Sequence, residues 1–147
     1  MAGFTLIEAL IALVVLSVGL LGVAALQMTG LRASMSAASR TQATYLANDI
    51  LDRMRANNRD ARSGLYNLTL GATPSGAGTS LSDMNAWVAE LQTLPNGQGS
   101  IAVDATTSVA TITIQWVDSH GGDTSECTAA SNYTNCASLQ LTTATQL

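Results

Sequence analysis

Lysine is absent from this chain, histidine occurs once, cysteine and proline occur twice each, and aromatic residues make up only 4 % of it. Charged residues are a sparse 11 %, and the six cations, all arginine, face ten acids for a formal net charge of -4. Nucleic acid is excluded as the main partner by that balance, because phosphate binding needs a concentrated cationic surface. An enzyme is not expected: the lone His120 has no assigned carboxylate partner, and the chain has neither a nucleophile elbow nor a phosphate loop. No cofactor and no metal site is expected either. One histidine cannot build a zinc site, and the oxygen-bearing Asp118, Asp123 and Glu126 around it do not follow EF-hand spacing. The two cysteines, Cys127 and Cys136, lie late and close together, which suits one disulfide in an oxidising compartment better than a metal cage. Bridging so short a loop stabilises by roughly 2–3 kcal/mol on the chain-entropy model.

Hydrophobic residues nonetheless reach 47 % of the 147 positions. Much of this is one block near the start. From Ala9 to Leu31 no residue is charged. At about 1.5 Å per residue a helix there reaches roughly 34 Å, enough to cross a hydrocarbon core of about 30 Å. A simple anchor or a signal peptide cut after Ala24 would use the same block. Against these stands the absence of any Lys or Arg before the apolar run, and the presence of Glu8 at its edge. A carboxylate at the start of a membrane segment is unfavourable and usually functional. The positive end of the helix dipole offsets part of that cost. A free α-amine a turn away, in the same chain or a neighbour, would be a better partner; a carboxylate wetted at headgroup level is the simpler alternative.

The run Gly3-Phe4-Thr5-Leu6-Ile7-Glu8, followed by Ala-Leu-Ile-Ala-Leu-Val-Val-Leu, resembles the class III signal sequence of type IV pilins and type II secretion pseudopilins. The resemblance implies cleavage by prepilin peptidase between Gly3 and Phe4, then N-methylation of Phe4. Glu8 becomes the fifth mature residue, which in that family pairs with the N-terminal amine of an adjacent subunit during assembly. The leader Met1-Ala2-Gly3 departs from the family in lacking a cation. The nearest cations, Arg32 and Arg40, follow the segment and count toward the opposite orientation by the positive-inside rule. The cleavage motif is the more specific of the two signals.

Past Leu31 the helical pattern continues. Leu31, Met35, Ala38, Tyr45, Leu46, Ile50, Leu51 and Met54 keep a spacing of three to four, predicting one apolar face on a helix from Phe4 to near Asn57 or Asn58, with Gly64 closing it. Asp49 with Arg53 and Asp52 with Arg55 are placed for intrahelical ion pairs. Arg55, Arg59 and Arg62 form a short cationic stripe, read as a solvated or inter-subunit face because Asp52 and Asp60 sit beside it. The stretch Met54-Arg55-Ala56-Asn57 resembles minor pilins of the PilV type, the modification proteins of type IV pili. After a Gly/Ser/Thr/Pro loop from Gly71 to Ser80, the spacing of Met84, Trp87, Val88, Leu91 and Leu94 predicts a helix over Asp83 to Thr93. Ser80 or Ser82 would be its N-cap and Trp87 would lie in the core.

Strands are predicted at Ser100 to Ala105, Val109 to Val117 and Ala137 to Thr143. In the second, Ala110, Ile112, Ile114 and Trp116 alternate with polar residues, as a half-buried strand requires. The expected fold is α+β: a long N-terminal hydrophobic helix of pilin type on an antiparallel sheet of about three strands. Its parts are a leader (1–3), a transmembrane or filament-core half helix (4–31), an amphipathic half helix (32–63) and a globular region (64–147). In pilins a bridge near the C-terminus often borders a variable surface, so the resemblance makes Asp118 to Asn135 the contact surface. It further implies a minor pilin that meets other minor pilins, the major pilin and prepilin peptidase. Such a chain sits first in the inner membrane with its C-terminal domain periplasmic, then in the pilus at the cell surface. A homo-oligomer is not expected. A minor pseudopilin of type II secretion and a membrane-anchored periplasmic binding or adhesion module are the alternatives.

Overall fold

The computed structural model describes residues 5–117 and 138–147. Three helices, α1 (Leu6–Ala56), α2 (Asn58–Arg62) and α3 (Gly78–Leu91), precede three strands, β1 (Gln98–Asp104), β2 (Val109–Val117) and β3 (Ser138–Gln146). Internal contacts divide the chain between Ala37 and Ala38. In the first unit α1 exposes every described side chain from Thr5 to Met35. Two of its hydroxyls are turned back on the helix: Ser17 Oγ donates to the Val14 carbonyl at 2.8 Å and Thr29 Oγ1 to that of Ala25 at 3.1 Å. Such bonds let a hydroxyl sit among apolar neighbours without water.

In the second unit α1 buries Ala43, Leu46, Ala47, Ile50, Leu51 and Met54. That spacing is one stripe of a 3.6-residue helix. The predicted face is corrected in two places. Tyr45 is 63 % exposed, because it lies off the stripe that Leu46 and Ile50 define, and the small Ala43 and Ala47 take the inward positions. Leu31, Met35 and Ala38 are exposed as well. Asn57 ends α1 and starts α2, its carbonyl accepting from Ala61 N at 3.1 Å. Gly64, at φ +80°, closes α2: its own N–H donates to Ala61 O and that of Leu65 to Asp60 O. This is the paired bonding of a left-handed helix terminus.

Helix α3 begins five residues before its predicted start, and neither serine caps it. Its N-cap is Ala77, with no side-chain bond, while Ser80 is buried and its Oγ reaches the Ala77 carbonyl at 3.4 Å. Met84, Trp87 and Leu91 face the core, as their spacing predicts. The fully buried Trp87 donates from Nε1 to the Leu46 carbonyl at 2.9 Å, tying α3 to α1. Arg53 joins the same two helices, contacting Asp49 at 2.8 Å and Glu90 at 3.1 Å. Burial lowers the Arg53 pKa, but the hydrogen bond and charge of Asp49, with the charges of Glu90 and Asp83, outweigh it and leave the pKa raised.

The sheet is an antiparallel meander in the order β1-β2-β3. Strand β2 alternates as predicted, burying Ala110, Ile112, Ile114 and Trp116. At the β1–β2 turn Asp104 Oδ1 accepts from the backbone N–H groups of Thr106 (2.7 Å) and Thr107 (3.3 Å). These bonds, the one from Thr106 foremost, lower the Asp104 pKa. The outer edge of β1 is covered. Leu68 exchanges two 2.9 Å main-chain bonds with Ile101, and Asn67 Oδ1 accepts from Val103 N at 2.8 Å.

Candidate assembly segment

The sequence places one charged side chain, Glu8, between Thr5 and Leu31. The structure puts it in the first turn of α1, where Thr5 O accepts from the N–H groups of Glu8 (3.1 Å) and Ala9 (3.3 Å). First-turn N–H groups lack intrahelical acceptors, so a carboxylate here meets partial positive charge. Around it the helix is apolar and uncovered: Leu6 is 85 % exposed and Leu21 71 %. The helix is long and apolar enough to cross a membrane. An apolar surface this extensive is stable against lipid or against other helices, not in water. Gly19, Gly22 and Gly30 have open space where a Cβ would lie, so no packing within the chain requires them.

Gly3 and Phe4, the predicted cleavage and methylation positions, lie outside the described residues, as do Cys127, Cys136, His120, Asp118, Asp123 and Glu126. Among the described residues no three His, Cys, Asp or Glu side chains group as a metal site. The arginine stripe is partly engaged within the chain. Arg55 contacts Asp52 at 2.8 Å and Thr145 Oγ1 at 3.3 Å, and Arg62 donates to the Leu147 carbonyl.

Two polar features escape sequence reasoning, since their members are distant in sequence. The first is a buried tyrosine. Tyr66 has no exposed surface, and its hydroxyl donates to Asp83 Oδ2 at 2.5 Å while accepting from Asn57 Nδ2 at 3.3 Å. Burial first, and the Asp83 hydrogen bond second, push its pKa up from 10.0 to about 12. The protonated form is therefore the one the fold favours. Its contribution is complete below the unfolded pKa near 10 and disappears as pH rises through about 12. Between these limits the full chain in detergent is expected to lose roughly 2–3 kcal/mol more unfolding free energy than Tyr66→Phe. Parallel pH profiles for the two proteins would contradict that assignment. The second feature is Trp116, which is 3 % exposed and has no hydrogen-bond partner for Nε1 among the described residues.

Residues 1–24 match the family model described as the prokaryotic N-terminal methylation motif. No curated protein and no solved structure matches the chain. The N-terminus thus carries the class III signal common to type IV pilins and pseudopilins, on a helix suited to membrane anchoring. A structural subunit is the role that such a signal indicates.

Proposed function

We propose that this chain is a minor pilin of a type IV pilus, of the PilV type, that takes part in initiating pilus assembly and in motility or adhesion at the pilus tip. The observation that carries the reading is the methylation motif over residues 1–24 leading into a helix with an uncovered apolar surface. In this reading prepilin peptidase cuts between Gly3 and Phe4, and Phe4 is N-methylated. The prepilin waits in the inner membrane with its C-terminal domain periplasmic. It then exchanges lipid for the helices of other minor pilins and of the major pilin. That exchange costs little apolar burial, because side chains leave one apolar phase for another. The decisive gain is electrostatic: Glu8 acquires a fixed cation, the methylated amine of a neighbour, in place of headgroup water. The cysteines fit this route, since a Cys127–Cys136 bridge forms in an oxidising compartment such as the periplasm.

The test is the intact mass and N-terminal sequence of the protein from host membranes, with and without prepilin peptidase. The expected chain begins at methylated Phe4 only when the peptidase is present. A start at Met1 or Ala25 under both conditions would overturn the reading. The same motif serves minor pseudopilins of type II secretion, which is the second reading. Deleting the gene separates the two: loss of pili supports the first, and blocked exoprotein release with normal piliation the second.

A further inference from the structure

Pro95-Asn96-Gly97 lies between α3 and β1, and Asn96-Gly97 is the one Asn-Gly pair in the sequence. Asparagine is a chemically labile residue. It is most labile before glycine, where no side chain shields the next main-chain nitrogen. That nitrogen, once deprotonated, attacks the asparagine Cγ. An N–C bond forms, the Cγ–Nδ2 bond breaks, and Nδ2 leaves as ammonia. Water then opens the resulting succinimide at either carbonyl, giving aspartate or isoaspartate. Water is the only co-reactant.

The structure exposes Asn96 but holds its nucleophile in place. Gly97 is buried, and its N–H donates to the Leu94 carbonyl at 3.1 Å. With Pro95 second and Asn96 third at φ +50°, residues 94–97 make a type II turn. A Cβ on Gly97 would overlap the Leu91 carbonyl oxygen at the end of α3 and come within 3.0 Å of Leu94 Cβ. The carbonyls on either side of Asn96 are engaged as well. Pro95 O accepts from Val117 N at 2.9 Å, and Gly97 O from Gln92 Nε2 at 3.4 Å. Closing the succinimide requires Gly97 N to lose its proton and rotate onto Asn96 Cγ. Both steps take it away from Leu94 O and from its place against Leu91.

We infer that Asn96-Gly97 is a deamidation site controlled by the fold. The closed turn withholds the Gly97 nitrogen, and opening of the α3–β1 connection releases it. The inference does not depend on the assembly reading. The two products differ in consequence. Aspartate keeps the main chain and tolerates the left-handed conformation as asparagine does. Isoaspartate routes the main chain through the side-chain methylene and lengthens it by one carbon. Gly97 then cannot keep both its bond to Leu94 and its contact with Leu91, and Gly99, two residues on, lies against the Trp87 ring. A chain that opens long enough to form isoaspartate therefore does not recover the native packing.

The experiment incubates the full chain in detergent at mildly alkaline pH, natively and in guanidinium chloride. Peptide mapping and labelling with an isoaspartate methyltransferase follow residue 96. Conversion is expected to be at least about a hundredfold faster in denaturant, because opening of a packed segment is a rare event in the native state. Trp87→Ala, which loosens the contact between α3 and β1 without altering the turn, should raise the native rate by at least about tenfold. Asn96→Asp should melt as the unmodified protein does, whereas chains carrying isoaspartate at 96 should melt lower. Equal rates with and without denaturant, or a denatured chain that keeps its Asn96 amide, would overturn the inference. So would a native rate that Trp87→Ala leaves unchanged. Should that variant fail to fold, the comparison of native and denatured unmodified chains decides by itself.

Discussion

Trp87→Ala is expected to destabilise the region from Ala38 onward by about 3–5 kcal/mol, the range for deleting a fully buried large aromatic. Three independent losses converge on that side chain. Its ring is fully buried among residues of α1, α3 and the sheet. Its Nε1 bond to the Leu46 carbonyl is a direct polar tie between α1 and α3. And the ring lies against Gly99 so closely that a Cβ there would overlap Trp87 Cη2 and approach Leu91 Cδ1 to 2.7 Å. Domains of this size hold together by about 5–15 kcal/mol, so the loss consumes a large share of the margin. Thermal melts of the full chain in detergent should show a midpoint lowered by at least about 10 °C. Gly99→Ala adds volume at the same contact and should cost about 1–3 kcal/mol alone. Combined with Trp87→Ala it should cost less than the sum, because the ring it would strike is gone. Additive losses would show that the two residues do not share one packing site.

Glu8→Ala is expected to leave membrane insertion intact and to lower incorporation into filaments by at least about tenfold. Insertion cannot suffer on physical grounds, since alanine removes a charge from the edge of an apolar segment. Assembly should suffer because a fixed cation brought into an apolar bundle needs its counter-charge. Stripping one partner from such a pair costs about 3–5 kcal/mol where water is excluded. Glu8→Gln, which keeps shape and a hydrogen-bond acceptor but not the charge, should fall nearly as far. Immunoblots of sheared filaments against membrane fractions measure both quantities. Equal incorporation of all three proteins would reduce Glu8 to a carboxylate wetted by headgroups.

Much of this protein is written locally. The apolar run and Glu8 are adjacent in sequence, as they are on the helix, so the membrane segment and its motif can be read without a fold. The alternation in β2 is equally local: a period of two admits only one buried face, and Ala110, Ile112, Ile114 and Trp116 occupy it. The spacing of Met84, Trp87 and Leu91 likewise determines which side of α3 faces inward.

Tertiary packing decided the rest. Tyr45 and Ala47 both adjoin Leu46 on α1, and the side that packs inward takes Ala47 and leaves Tyr45 63 % exposed. Gly99 reads as a weak spot in a strand until the indole from α3 is laid on it. Tyr66 and Asp83 share a proton donor and acceptor across seventeen positions. The covering of the outer β1 edge depends on Leu68 folding back onto Ile101, a pairing with no local signature. Local chemistry can set a helix face or a strand's alternation, because these repeat along the chain. Contacts between distant segments depend on volumes and angles that exist only after the chain has folded.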